Sequence, residues 1–205
     1  MNRGYINTVL SLKQDCIFWD GVIEAMLGPN KLQQQLDAIY KRMIKDYPKY
    51  YRMDGMAKLV FILGELLCEQ SEVTENYAGQ DIGVVLFNSS GSYPSDLAHA
   101  DGIKSGFAGA SPANFVYTLP NVGVGELCIK RKITGENLFL ISDDLSYDDI
   151  SEMAAIYMEQ KRCKALIIGW VEPTQNEGNH LLLITEEKTG LGEPNTVSNV
   201  RKLIE

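Results

Sequence analysis

Histidine is nearly absent from this 205-residue chain: only His99 and His180 occur. Two histidines exclude histidine-rich metal chemistry and narrow the choice of general base. Cysteine is also scarce. Cys16, Cys68, Cys128 and Cys163 are widely spaced, and no CxxC or CxxH pair occurs, so no zinc site is expected. Long apolar runs are missing as well: Leu59 to Leu63 and Leu181 to Ile184 are far too short to span a bilayer. Met1 to Ser11 has one arginine and no long apolar core, so no secretory leader is expected. The chain is therefore expected to be cytoplasmic, with reduced, buried thiols. Positive charge is in deficit. Nineteen Lys and Arg face 27 Asp and Glu, a net charge of −8, which argues against coating nucleic acid or an anionic membrane. No internal repeat, low-complexity tract or P-loop lysine appears, and no full GxGxxG. No cofactor and no metal is expected.

What is present fits one folded domain over residues 1–205. Apolar residues make up 45% of the chain, and no breaker is long enough to be a linker. Four apolar runs read as buried strands: Tyr5 to Leu12, Asp81 to Asn88, Asn137 to Ser142 and Ala165 to Val171. A fifth, His180 to Thr185, follows the turn-rich loop Glu172 to Asn179 and is expected to form a hairpin with the fourth. Helical patterns lie between them. Lys31 to Lys45 is amphipathic, and Asp54 to Cys68 is apolar almost all round, which predicts a buried helix. Pro94 to Ile103 and Asn121 to Lys132 are shorter, and Tyr147 to Arg162 places Tyr147, Ile150, Met153, Ala154 and Tyr157 on one face. Strands alternating with helices predict a layered α/β sheet.

Four constellations carry chemistry. The first is the strand-to-helix junction Leu140 to Tyr147. Ser146 and Asp149 have capping-box spacing, and Asp143, Asp144, Asp148 and Asp149 crowd the helix start. Such junctions hold nucleophiles or anions in many α/β proteins. Here the first-turn acids suit the dipole, and a cation site at Asp143, Asp144 and Asp148 is the functional alternative. The second is Asn88-Ser-Ser-Gly-Ser92, either a polar turn or a phosphate cradle. The third is Val122 to Ile129, whose Gly123 and Gly125 permit close packing and whose Cys128 reads as a buried, inert thiol. The fourth is Tyr40 to Lys58. Lys41, Arg42, Lys45, Lys49, Arg52 and Lys58 outnumber Asp46 and Asp54 there, and Tyr40, Tyr47, Tyr50 and Tyr51 interleave. A solvated basic face or a dock for an acidic partner follows.

Several segments recur in a telling order: Gly83 to Ser92, Ser111-Pro112, Leu119-Pro120-Asn121, Gly125 with its helix, Gly135-Glu136-Asn137, and Ile168-Gly169-Trp170-Val171-Glu172. From about Tyr5 to Thr185 they resemble the N-terminal half of β-ketoacyl synthases, condensing enzymes of the thiolase-like fold; 186–205 is then a C-terminal extension. The resemblance implies a three-layer half-fold, a mixed five-stranded sheet (βαβαβαββ) with helices on both faces. Two departures bear on function. The family's nucleophilic cysteine position falls at Asp144, with Ser142, Asp143 and Ser146 as neighbours, and the family's histidine pair belongs to a half beyond this sequence.

The resemblance therefore implies a non-catalytic subunit, similar to chain-length-factor partners. It would form a homodimer, or a heterodimer with a full-length condensing enzyme, in fatty-acid or polyketide-type (aryl polyene-like) biosynthesis. The implied interface is Asn121 and its helix with the strand Leu138, Phe139, Leu140 and Ile141. The implied dock for an acidic acyl carrier protein is Lys41, Arg42, Lys45, Lys49, Arg52, Lys130, Arg131 and Lys132. The alternatives are an acyl-thioester hydrolase or decarboxylase using Asp143 or Asp144, or a scaffold module.

Overall fold

The computed structural model describes residues 2–13, 15–27, 31–104, 112–173 and 178–205. The Gly28-Pro29-Asn30 break, Ser111 and the middle of the Glu172 to Asn179 loop lie outside the described residues. β1 (Tyr5–Lys13) is followed by two strands that the apolar runs do not announce, β2 (Cys16–Trp19) and β3 (Val22–Met26). Asp20 and Gly21 both have positive φ and join β2 to β3 as a tight hairpin turn. That Asp-Gly dipeptide is the one sequence signal for this ribbon.

Lys31 to Lys45 is helical only in part. α1 (Leu32–Ile39) widens into a π-helical turn, Tyr40–Ile44, and a 3₁₀ turn follows at Pro48–Arg52. α2 (Gly55–Ser71) starts where the Asp54 carboxylate accepts a hydrogen bond from the Ala57 N–H at 2.8 Å. The short α3 (Val73–Asn76) leads to β4 (Ile82–Asn88). Then come α4 (Tyr93–Lys104), α5 (Pro112–Val116), α6 (Val122–Arg131), β5 (Asn137–Ile141), α7 (Tyr147–Glu159), β6 (Ala165–Trp170) and β7 (Asn179–Thr185). Residues 186–205 add β8 (Glu193–Pro194), paired with β1, and α8 (Val197–Ile204), which buries Val200 and Ile204. This extension packs into the same core as α7.

Among the described residues the sheet has eight strands, in the order β3-β2-β1-β7-β6-β4-β5 with β8 beside β1. The expected five form its body, and the three short additions, β2, β3 and β8, all lie on the β1 side. β7 runs antiparallel to β6 and β1, whereas β4 is parallel to β5 and β6. The sheet is therefore mixed, with helices on both faces, and the β6–β7 hairpin is as expected. Alternating side chains feed the two faces. Val84, Leu86 and Ile167 join α1, α2 and α6; Val85, Leu166 and Ile168 join α7 and α8. No helix among the described residues is long and apolar enough to cross a membrane.

α2 is wrapped on every side, which accounts for its all-round apolar sequence. The sheet covers one flank and α6 another. A Cβ added at Gly123 would lie 2.9 Å from the Ala57 Cα, so glycine is what lets α6 approach. The remaining flank is covered by the tyrosine-rich segment. Tyr40 and Tyr50 are fully buried and stack at 4.0 Å, and Tyr47 lies on Phe61 at 4.9 Å. The Tyr50 hydroxyl and Lys58 Nζ donate to Asp37 at 2.8 and 3.0 Å. Three of the four tyrosines thus supply core, while Lys41, Arg42, Lys45, Lys49 and Arg52 stay exposed.

Candidate functional site

β4, β5 and β6 are parallel and in register, Phe87 beside Trp170 and Asn88 beside Ile141, so the loops leaving them meet at one end of the sheet. The Asn88 side chain folds back on its own turn. Its Oδ1 accepts from the Gly91 N–H at 3.1 Å and its Nδ2 donates to the Gly91 carbonyl at 3.2 Å. Gly91 has φ +56°, a left-handed conformation that suits glycine.

Glu172, two residues beyond β6, is completely buried against this turn. Its carboxylate accepts from the Ser89 N–H at 3.2 Å and Oγ at 2.8 Å. It also accepts from the Ser90 N–H and Oγ, each at 2.9 Å. The Glu172 N–H donates to Asn179 Oδ1 at 2.7 Å. The serine-rich loop therefore cradles an anion, but the anion is the chain's own carboxylate. A phosphate at these donors would have to displace a covalently tethered competitor, so the polar-turn reading accounts for the loop. The two motifs were visible separately in sequence; only the fold joins them.

Beside this clamp lies the β5–α7 junction. The Ser142 N–H donates to the Asn88 carbonyl at 2.8 Å. Ser146 Oγ accepts from the Asp149 N–H at 3.1 Å and caps α7. Asp143, Asp144, Asp148 and Asp149 are all exposed. Among the described residues no group of three or more His, Cys, Asp or Glu side chains is placed to hold a metal ion. The cysteines are elsewhere: Cys16 on β2, Cys68 on α2, Cys128 on α6 and Cys163 ahead of β6. Burial pushes the thiols of Cys68 and Cys163 up to about 12 and that of Cys128 to about 11, which keeps them protonated and inert. His180 is buried, and its Nδ1 lies 2.7 Å from Ser11 Oγ on β1, across β7 from the junction. His99 sits on α4 against Phe115, with ring centroids 5.6 Å apart.

The expected interface strand behaves differently from the other apolar runs. β5 bonds to β4 along one edge and is the last strand on that side of the sheet. Leu138 and Leu140 pack toward α7, and Phe139 toward α2. All three are only half-buried, and Ile141 is 66% exposed. The run reads as a buried strand and, by resemblance, as one covered in an interface; within this chain it is an edge strand, with no strand beyond β5 among the described residues. Ile141 leans on Gly91 in the turn ahead of α4. Exposed Tyr93, Leu97, Phe115, Val116 and Leu119 belong to α4, α5 and the turn before α6. Asn121, at the start of α6, is exposed.

The expected docking cations divide into two sets. Lys130 pairs with Asp46 at 2.6 Å, Lys49 approaches Glu126 at 3.8 Å, and Arg131 grips Glu65 at 2.7 Å and Glu69 at 2.9 Å. Arg131 is a structural cation for a buried carboxylate. Lys41, Arg42, Lys45, Arg52 and Lys132 are exposed.

No protein-family model and no curated protein sequence matches the chain. Solved structures do. A complex of a ketosynthase with its chain length factor from Xenorhabdus doucetiae matches with a TM-score of 0.56 and 12% identity, over 98% of this chain and 90% of the other. The ishigamide ketosynthase/chain length factor matches with a TM-score of 0.62 and 15% identity, over 93% of this chain and 64% of the other. A type II acyl-carrier protein in complex with its hexaketide-bound ketosynthase matches with a TM-score of 0.57 and 11% identity, over 90% and 64%. At such identities the likeness is one of architecture. The mixed sheet between two helix layers has the fold of these ketosynthase and chain-length-factor chains.

Proposed function

We propose that this chain is a non-catalytic, chain-length-factor-like subunit that pairs with an active condensing enzyme in polyketide-type or fatty-acid biosynthesis. The observation that carries this reading is the β5 edge. An apolar strand with an open outer edge and an exposed Ile141 is a surface that soluble proteins cover. The chemistry of the junction agrees. The place that resembles the family's nucleophile holds exposed aspartates, and the thiols of α2, α6 and the segment before β6 are buried and protonated. An aspartate is a poor acyl acceptor from a thioester, because the anhydride formed would hydrolyse.

In this reading β5 extends the partner's sheet across the interface, with Asn121 and α6 alongside. The exposed Lys41, Arg42 and Lys45, with Lys132, then offer a basic surface to an acidic acyl carrier protein. The decisive experiment is co-expression with the condensing enzyme and carrier protein of the host, followed by light scattering of the purified material. A stoichiometric heterodimer is expected, and Ile141→Lys should abolish it while leaving the chain folded. A chain that stays monomeric alone and with those proteins overturns the proposal.

A further inference from the structure

A cavity lies at the opposite end of the sheet from the Glu172 clamp, where β4 and β6 begin and β7 ends. It is a cleft of about 720 Å³ between β1, β2, β7 and the end of α2 with α3, within the range of small-molecule sites. Three unusual backbone features converge on it. β1 bulges between Ile6 and Thr8, re-aiming Asn7. Asn7 Nδ2 donates to Thr185 Oγ1 at 2.6 Å and the Glu187 carbonyl at 2.9 Å, and its Oδ1 accepts from the Thr189 N–H at 3.0 Å. Gly190 has φ +56°, and a Cβ there would meet the Asn7 carbonyl at 2.3 Å. Asp20 is left-handed at φ +50°, held by hydrogen bonds from Thr8 Oγ1 at 2.8 Å and the Val9 N–H at 2.7 Å.

We propose that this cleft binds a neutral polyhydroxylated ligand, a sugar or polyol. Its walls present the Gln70, Asn76 and Thr189 side chains, polar groups that an apolar ligand would leave unpaired. Trp19 and Tyr77 are half-buried in the wall and offer ring surface to the C–H face of a sugar. Anions are disfavoured, because Asp20, Asp81 and Glu187 outnumber Lys164 around the cleft. A cation gains little, because Asp81 already pairs with Lys164 at 2.8 Å and Asp20 accepts two internal donors. What remains is the hydrogen-bonding capacity of the Gln70, Asn76 and Thr189 side chains on the wall, which suits hydroxyl groups.

The test is a titration of the isotope-labelled full chain with glucose, maltose and glycerol, with spermidine and inorganic phosphate as comparators. The chain has two tryptophans, and Trp170 is fully buried near the Glu172 clamp. Its indole N–H signal is therefore an internal control. Saturable movement of the Trp19 signal with a sugar, without movement of Trp170, is expected. Asn76→Ala, an exposed change at the cleft wall, should weaken binding about tenfold, the worth of one good hydrogen bond. The proposal is overturned by no saturable shift with any sugar or polyol, by saturation with spermidine or phosphate alone, or by sugar binding that Asn76→Ala leaves unchanged.

Discussion

α2 and β5 look alike in sequence, and the fold treats them oppositely. Both are short apolar segments with few polar interruptions. Residues Leu59, Val60, Phe61, Ile62 and Leu63 of α2 are completely buried, whereas Ile141 of β5 is 66% exposed. The difference is topological. α2 has the sheet, α6 and the Tyr40–Arg52 segment on its three flanks, while β5 has β4 on one edge and helices above and below. A helix is satisfied by side-chain packing alone, because its backbone bonds are internal. A strand with a neighbour on one edge only leaves a row of backbone groups on the other unpaired. An apolar run therefore announces that something covers it, not whether the cover belongs to the same chain.

Substitutions test this contrast directly. The largest effect is expected at the wrapped helix. Phe61→Ala should cost about 3–5 kcal/mol and lower the thermal midpoint by about 10 °C, read by calorimetry. Arg131→Ala should cost about 3 kcal/mol, because it strands the Glu65 carboxylate, 3% exposed on the same helix. Burial raises the Glu65 pKa above its ordinary 4.5, and Arg131 only partly opposes it. Its contribution to stability is thus present below that ordinary value and lost as pH rises through the raised folded value. Urea unfolding across the acidic range should show Glu65→Gln gaining on the parent chain as pH rises. A gap that does not change with pH would remove this account of Glu65.

Smaller effects belong to the junction and the edge. Ser146→Ala removes the α7 cap and should cost about 1 kcal/mol by thermal unfolding. Ile141→Lys should change monomer stability by no more than about 0.5 kcal/mol, yet abolish partner assembly. If Ile141→Lys destabilised the isolated chain as much as Phe61→Ala, the contrast between edge and core would fail.

Much of the fold was legible from local pattern. Ala165 to Val171 and Asp81 to Asn88 are continuous apolar runs, and such runs become central parallel strands because both their faces are buried. Asp54 and Ser146 marked helix starts that the structure realises. β2 and β3 were missed because their side chains are partly exposed and neither alternation nor a long run marks them; Asp20-Gly21 was the available clue. α8 was missed because it is one short amphipathic turn pair near the chain end. The clamp was half-legible. Ser89, Ser90 and Glu172 stood out, but contacts across some 80 positions leave no local trace. The cleft around Asn7 was illegible, since bulges and left-handed aspartates arise from pairing rather than composition.

The sequence by itself determined the alternation of elements, the buried character of α2, the inert setting of the thiols and the lack of a cysteine near Asp144. These follow from residue type and short-range spacing, which act through local propensity and hydrophobic burial. Only the tertiary structure decided that Glu172 occupies the serine loop, that the tyrosines of the basic segment face inward, and that β5 stands at an edge. Each of those outcomes depends on which distant segments pair, and pairing is settled by the register of the whole sheet.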